Sequence, residues 1–223
     1  MKFENTSVYN FENAIRGMRL PMNSGDKSDS CWIEYPDYYK IGDNDLNLIQ
    51  RLVKAETPHD KFMRQIFISV DITAPLYWWK EMDQYKVGTT TNSQSTMHKL
   101  STTPITMDCF ETNDYDGSLK VYDKEPYNID NYVDDIWDSI IDHCETLRKR
   151  YLETKDKRYW KELIRLLPES WLQTRTWTAN YEILRNIVHQ RQGHKLTEWK
   201  SFIDWVHTLP YADELIFYDN KGE

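Results

Sequence analysis

The sequence predicts an α/β (α+β) fold that is rich in helices and has a small sheet. In residues 131–152, apolar side chains recur every three or four positions, which is typical of a helix with one buried face. In Ile66 to Ile72, IFISVDI, β-branched side chains alternate with others, which indicates a strand. We find no internal repeat and no linker. We therefore expect a single domain over residues 1–223, with a variable acidic loop at about residues 108–130.

The other elements follow from spacing and from the residues that start or stop a helix. Further helices are predicted over residues 11–20, 43–55, 74–85, 156–167, 178–192 and 197–209. Asp43 to Asp45 offers an N-cap, Gly193 a C-cap, and Pro168 and Pro210 end the helices before them. Residues 21–44 and 87–106 are polar and irregular, and a surface loop is the simple interpretation of both.

Composition narrows the classes of function. The chain is 39% hydrophobic, so it can bury a core, and its 9 Trp and 15 Tyr supply flat rings for clefts and contacts as well as for that core. Its net charge of −8 makes it a poor candidate for nucleic-acid or membrane-surface binding, since both need clustered Lys and Arg. We therefore expect neither nucleic acid nor membrane as a partner.

Cysteine use and the start of the chain bear on location. Cys31, Cys109 and Cys144 are odd in number and far apart, and the six His do not cluster, so no disulfide framework and no metal site are predicted. The start, MKFENTSVYNFENAIRGM, has acidic residues and no apolar run, unlike a leader peptide. No stretch approaches the ~20 apolar residues of a membrane helix. A cytoplasmic protein is the resulting expectation.

Two segments, residues 73–100 and 166–199, combine Trp, Tyr, Asn, Ser, Thr and His in a way that a plain amphipathic helix does not. The first places many hydrogen-bond donors in a short irregular stretch, which can cradle a phosphate. In the second, Asn180 and Arg191 lie near one face of a predicted helix. An Asn amide can bind a heterocycle, and an Arg can grip a phosphate or a uracil-like edge. Ordinary exposed polar surfaces remain the alternative for both.

The same segments resemble the ligand-binding stretches of flavin-dependent thymidylate synthases. That family carries Arg-His-Arg-x-x-Ser-x-Asn-Glu-x-Ser-x-Arg-Tyr shortly after an Ala-Pro, and YKVGTTTNSQSTMHK follows Ala74-Pro75 here. Matches to this signature are Thr90, Asn92 and Ser95. Matches to the family's second stretch are Leu167-Pro168, Trp177-Thr178-Ala179-Asn180, Asn186 and Arg191. The similarity spans roughly residues 13–205.

The resemblance implies a fold, a reaction and a site. The fold would be that of a flavin-dependent thymidylate synthase, in a homotetramer with sites at subunit contacts. The reaction would be methylation of dUMP, or a related pyrimidine nucleotide, with FAD, NADPH and methylenetetrahydrofolate. The implied cofactor-binding residues are His59, Lys86, Thr90, Asn92, Asn180 and Asn186. Arg191 and Ser95 would face the nucleotide as the catalytic pair, with Arg165 and His98 as further substrate contacts. Ser95 would orient the nucleotide rather than attack it, because no base is visible beside it.

The chain departs from the family signature at charged positions. Arg-His-Arg falls on Tyr85-Lys86-Val87, the signature Glu on Ser93, and the Arg that holds the dUMP phosphate on Met97. Counting from Ala74-Pro75 instead shifts this register by one residue and puts Lys86 on the second Arg, and both registers stay open. Each charge-assisted contact contributes ~1.5–3 kcal/mol. The losses therefore favour an alternative, a catalytically inactive descendant that binds another nucleotide or a protein partner.

Overall fold

The computed structural model describes three ranges of the chain: residues 1–35, 37–122 and 132–218. The chain divides into two compact units. The first unit comprises Met1–Ile72, Met82–Asn92 and Arg175–Glu223, and the second comprises Thr73–Glu81 and Ser93–Thr174. The prediction of a single domain stays a prediction. Among the helices in these ranges, none has the length and apolar character needed to cross a membrane.

Six strands and nine α-helices are present in the described ranges. The strands are β1 (Lys2–Tyr9), β2 (Cys31–Glu34), β3 (Asp37–Lys40), β4 (Phe67–Pro75), β5 (Thr90–Ser93) and β6 (Leu172–Asn180). The helices are α1 (Phe11–Arg19), α2 (Asp43–Lys54), α3 (Leu76–Met82), α4 (Thr96–Thr102), α5 (Val133–Thr154), α6 (Lys157–Leu166), α7 (Tyr181–Arg191), α8 (Thr197–His207) and α9 (Ala212–Leu215). A 3-10 helix, His59–Gln65, precedes β4.

The main sheet has the strand order β1-β4-β6-β5, and β2 pairs with β3 in a separate antiparallel hairpin. β4 and β6 run antiparallel: the Tyr181 N–H donates to the Ile66 carbonyl (3.0 Å), and the Thr176 hydroxyl donates to Asp71 (2.6 Å). The predicted class, helix-rich with a small sheet, is confirmed.

The first unit has an aromatic and aliphatic core. Its fully buried side chains include Trp177, Tyr181, Trp199 and Phe202. Trp199 and Phe202 lie one helical turn apart on α8, and their ring centroids are 5.7 Å apart with nearly perpendicular planes. The predicted alternation of β4 is present, since Ile68, Val70 and Ile72 are all buried. These elements give α7 a rigid support.

The second unit has a core of its own under α5 and α6. Its buried members are Leu100, Ile105, Cys109, Phe110, Cys144, Leu163 and Trp171. The apolar stripe predicted for α5 packs against them through Trp137, Ile140, Ile141 and Leu147. The helix predicted over residues 131–152 is therefore confirmed as scaffold, although residue 131 lies outside the described residues.

Several sequence-based boundaries were wrong. Residues 21–44 contain the β2–β3 hairpin, and residues 87–106 contain β5 and α4, so neither segment is a plain loop. Ala74-Pro75 ends β4, and the following helix begins at Leu76. β6 occupies residues that were expected in part to open a helix at Thr178, because the chain pairs with β4 up to Asn180. Strand β1 was not predicted.

The acidic loop expected at residues 108–130 is described only as far as residue 122. In that part the chain turns repeatedly, and the Leu119 carbonyl accepts the Val133 N–H (3.0 Å). The prediction for residues 123–130 lies outside the described residues.

Candidate functional site

In the first unit the two polar aromatic segments meet at Tyr85 and Arg191. The Arg191 Nε donates to the Tyr85 hydroxyl (2.9 Å), which donates to Gln190 Oε1 (3.1 Å). The Arg191 guanidinium also lies over the Trp199 ring, 4.5 Å from its centroid. These contacts fix the plane of the guanidinium, which bidentate recognition of a phosphate or of a pyrimidine edge requires.

Gly88 brings the first segment against the start of α7. Its φ of +71° is in the left-handed region, and a Cβ there would lie 2.7 Å from Ile183 Cδ1 and 3.6 Å from Asn180 Nδ2. Asn180 Oδ1 accepts the Ile183 N–H (3.1 Å), so Asn180 is the N-cap of α7. A residue expected to hold flavin is therefore buried at a helix start, with its amide nitrogen near the Gly88 backbone.

A small cleft of about 370 Å³, here called the Lys86 cleft, opens beside this contact. Lys86, Thr89, Thr91 and Trp177 are among the residues that line it. Asp83 also lines it, but its carboxylate is paired with Arg175 at 2.7 Å. The cleft thus presents an exposed ammonium group beside threonine side chains, which suits an anionic ligand.

The other predicted cofactor-binding residues of the first unit lie elsewhere. Thr90 and Asn92 are exposed in β5, and Asn186 is exposed on α7. His59 is exposed at the start of the 3-10 helix and lines a separate apolar cleft of about 740 Å³ with Gly17, Met18, Phe62 and Gln65. The two clefts share none of their described lining residues. Tyr85 thus contacts Arg191 and also lines the Lys86 cleft, whereas His59 lines a different cleft.

Three predicted substrate contacts belong to the second unit. Ser95 is the N-cap of α4, where its hydroxyl accepts the His98 N–H (3.4 Å). His98 is exposed in the first turn of that helix. Arg165 is exposed on α6 and forms an ion pair with Glu162, one turn away on the same helix. Ser95 therefore caps a helix with its side chain, as Asn180 does for α7.

The buried thiol of Cys144, in the core of the second unit, is not available as a nucleophile. Burial raises the pKa of Cys144 to about 11, so this thiol is protonated at neutral pH.

Sequence reasoning did not identify Tyr85, Trp177 and Trp199 as members of the site. Tyr85 stood out only as a departure from an Arg, Trp177 was matched to the family's second stretch without a role, and Trp199 was noted only as part of the aromatic content of its segment. Tyr85 and Arg191 are separated by 106 residues, and no local spacing reveals such a pairing. The abundance of Trp and Tyr in both segments was the available signal.

Comparison with solved structures identifies the architecture. Crystal structures of flavin-dependent thymidylate synthase ThyX from Helicobacter pylori, complexed with FAD and dUMP, superpose with TM-scores of 0.65 and 0.66 at 16% and 17% identity. They cover 97% of this chain, and 98% and 97% of their own chains. The chain has a ThyX-like fold. The chain is also similar to the UMP/dUMP methylase PolB from Streptomyces cacaoi bound with 5-Br dUMP, with a TM-score of 0.55 and 13% identity over 84% of this chain and 76% of that one.

Identities of 13–17% show the ThyX-like fold alone. No protein-family model and no curated protein matches this chain. The ligand contacts of this chain therefore have to be argued from its own residues.

Proposed function

We propose that this chain binds a pyrimidine nucleotide, dUMP or a close relative, and methylates it. The Arg191–Tyr85 contact carries the proposal, because it joins the two segments that resemble the family's ligand-binding stretches. A guanidinium fixed between two rings is prepared for a planar or phosphorylated ligand before that ligand arrives. The complexes that ThyX of the same fold forms with FAD and dUMP support this reading.

The Lys86 cleft fits a phosphate group of FAD. Lys86 supplies a cation, Thr91 supplies a hydroxyl, and the Asp83 charge is balanced by Arg175. We therefore propose Lys86, with Thr90 and Asn92 of β5, as contacts to the cofactor phosphates. The proposed flavin-ring contacts are Asn180, Asn186 and His59.

In this proposal the chain binds and orients, and the cofactor does the difficult chemistry. When bound, FAD supplies the hydride transfer for reductive methylation, with NADPH as reductant and methylenetetrahydrofolate as carbon donor. Arg191 holds the nucleotide, and His98 and Arg165 are proposed as further contacts to it. Ser95 is proposed to orient the nucleotide, since its hydroxyl is engaged as a helix cap.

The first test is an absorbance spectrum of the purified protein from 300 to 550 nm, before and after addition of FAD. A flavin band that co-purifies, or a spectral shift that saturates on titration, supports the enzyme. Formation of dTMP from dUMP with NADPH and methylenetetrahydrofolate then completes the test. A flavin-loaded protein that never consumes dUMP contradicts the proposed reaction.

Arg191→Gln tests the nucleotide contact itself. We expect dUMP affinity to fall roughly 10- to 100-fold, because a charge-assisted hydrogen bond contributes about 1.5–3 kcal/mol. FAD affinity should change less than dUMP affinity. Arg51→Gln is the matched control, since Arg51 is exposed in the last turn of α2. Unchanged dUMP binding in Arg191→Gln, measured by calorimetry, would remove Arg191 from the site.

A second candidate function is a non-catalytic ThyX-like protein that binds another nucleotide or a protein partner. Val87 is 90% exposed and Met97 is 57% exposed, and in the first of the two registers both fall on an Arg of the family signature. Exposed apolar side chains at these positions favour contact with protein over contact with phosphate. A colourless protein that ignores FAD supports this candidate, whereas a saturable FAD titration contradicts it.

A further inference from the structure

A third cleft, larger than the two described above at about 1070 Å³, lies in the first unit beside β1, α1 and the β2–β3 hairpin. Aromatic side chains dominate its wall, and we call it the aromatic cleft: Tyr9, Trp32, Tyr38, Tyr39, Phe67 and Tyr211. It shares no described lining residue with the Lys86 cleft or with the His59 cleft. The nucleotide proposal therefore makes no use of it.

The rings of the aromatic cleft are accessible. Trp32 is 54% exposed, Tyr9 47% and Tyr38 43%, although large rings in a globular unit are ordinarily more buried. Tyr9 stacks on Phe67 with ring centroids 5.8 Å apart, so these two rings hold each other in the wall of the cleft. Exposed rings gathered in a single concave site indicate a ligand rather than chance exposure.

The charged residues that line the aromatic cleft are all acidic among the described residues. Glu12 and Asp37 line it, and no Lys, Arg or His is found among its described lining residues. The Trp32 Nε1–H donates to Glu12 Oε2 (2.9 Å), so one carboxylate is held directly against an exposed ring. Ring faces attract cations through their quadrupole, and carboxylates add to that attraction. The cleft therefore selects for positive charge.

The wall is also held in place before any ligand binds. The Tyr211 hydroxyl accepts the Ile41 N–H (2.9 Å) and donates to the Tyr39 carbonyl (3.2 Å), which ties the end of the hairpin to the C-terminal part of the unit. Tyr211 has a φ of +55° and Asn10, another lining residue, a φ of +78°. Left-handed conformations of residues other than Gly are uncommon and concentrate at binding sites.

We propose that the aromatic cleft binds a small organic cation, a quaternary ammonium group carried on an apolar body. The exposed rings receive the cationic head and the apolar body, and Glu12 and Asp37 balance the charge. The volume suits a ligand of drug-like size rather than a bare ion.

Acetylcholine and its neutral isostere 3,3-dimethylbutyl acetate test this proposal with the full-length protein. Ligand-observed NMR and the quenching of tryptophan emission report binding. We expect saturable binding of acetylcholine in the millimolar range or tighter, and binding of the isostere at least tenfold weaker. Equal affinities for the two compounds, or no saturable binding of acetylcholine, would overturn the proposal.

Variants locate the site. Asp37→Asn and Glu12→Gln should each weaken acetylcholine binding several-fold, and Trp32→Ala should abolish it. Glu34→Gln is the matched control, because Glu34 is exposed on the same hairpin but is not among the described lining residues. Asp37→Asn keeps the test decisive if the loss of the Glu12–Trp32 contact disturbs folding. Unchanged binding in both carboxylate variants contradicts the proposal, and FAD and dUMP titrations of the same variants report separately on the Lys86 cleft.

Discussion

Asp45 shows how single side chains hold the first unit together. This fully buried carboxylate forms an ion pair with Arg19 and accepts hydrogen bonds from the Ser28 hydroxyl (2.7 Å), the Ser30 hydroxyl (2.6 Å) and the Asp29 N–H (3.1 Å). Burial by itself would raise the pKa of Asp45, but the hydrogen bonds from Ser30, Ser28 and Arg19 outweigh it and lower that pKa. The carboxylate is thus charged in the folded protein and serves structure rather than catalysis.

The pH dependence of stability follows from that shift. Because the pKa of Asp45 is lower in the folded state than in the unfolded chain, its contribution is fully present above the unfolded value of about 3.9 and is lost as the pH falls through the folded value. Asp45→Asn leaves Arg19 buried without its charge partner. We expect the free energy of unfolding to fall by about 3–5 kcal/mol at pH 7. Urea unfolding at pH 7 and pH 3 measures both effects.

Asp43→Asn is the control for Asp45, since Asp43 is exposed in the first turn of the same helix. This control should lose only a few tenths of a kcal/mol of helix-dipole stabilisation. If the two variants unfold alike, the Asp45 network is not the source of the stability.

Val87 is the position at which a positive charge of the family signature can be put back and its effect on FAD binding measured. It is 90% exposed and occupies a position that resembles an Arg of the family signature. Val87→Arg should tighten FAD binding about tenfold or more, because it adds one charge-assisted contact to the phosphates. Val121→Arg is the control, as Val121 is also exposed but lies outside the segment. Equal effects of the two variants in a flavin fluorescence titration would reject this register of the signature.

At the scale of elements, a backbone contact positions the first segment. Gly88 has a left-handed φ of +71° and lies against α7, whereas Gly193 has a similar φ of +74° with nothing within 4 Å of the place where its Cβ would be. Comparing Gly88 with Gly193 therefore separates the effect of a left-handed backbone conformation from the effect of close contact with α7.

Gly88→Ala and Gly193→Ala should each lower stability by about 1–2 kcal/mol, because both place an L side chain in the left-handed region. Only Gly88→Ala should also weaken nucleotide binding, since its Cβ must displace Ile183 Cδ1. Thermal unfolding and a dUMP titration measure the two effects. Equal nucleotide binding in the two variants would mean that this contact does not shape the site.

The elements that were predicted correctly are those whose apolar residues recur with one clear periodicity. Helices α2 and α5 carry apolar stripes, and β4 alternates β-branched residues, so burial and sequence pattern agree. β1 was missed because KFENTSVY is mostly exposed and therefore mostly polar. β6 was missed because its pairing with β4 overrides the helical appearance of Thr178 to Asn180.

The candidate site was predictable in its residue types but not in its contacts. Arg191 and Lys86 were predicted site residues and stay a prediction; Tyr85, which accepts the Arg191 hydrogen bond, lines the same cleft as Lys86. The hydrogen-bonding roles of Asn180 and Ser95 as helix caps could not be read from the sequence, because the position of a cap depends on where the preceding strand ends.

At the scale of the whole molecule, the number of chains that associate matters most for function. The ThyX resemblance implies a homotetramer with sites at subunit contacts, and this stays a prediction.

We expect light scattering to give the mass of four chains at micromolar concentration, because the completed site is proposed to need neighbouring subunits. The measurement should be repeated over a hundredfold range of concentration and at high salt. A single chain under all these conditions would contradict the tetramer and would require each site to be complete within one chain.

The order β1-β4-β6-β5 also has a consequence during synthesis. β4 leaves the ribosome about a hundred residues before β6, the strand that covers one of its two edges. Until then a β-branched strand with buried-type side chains has an open edge, which is a site for pairing with other nascent chains. We therefore expect the yield of this protein in cells to change with translation speed and with the supply of chaperones that protect β4.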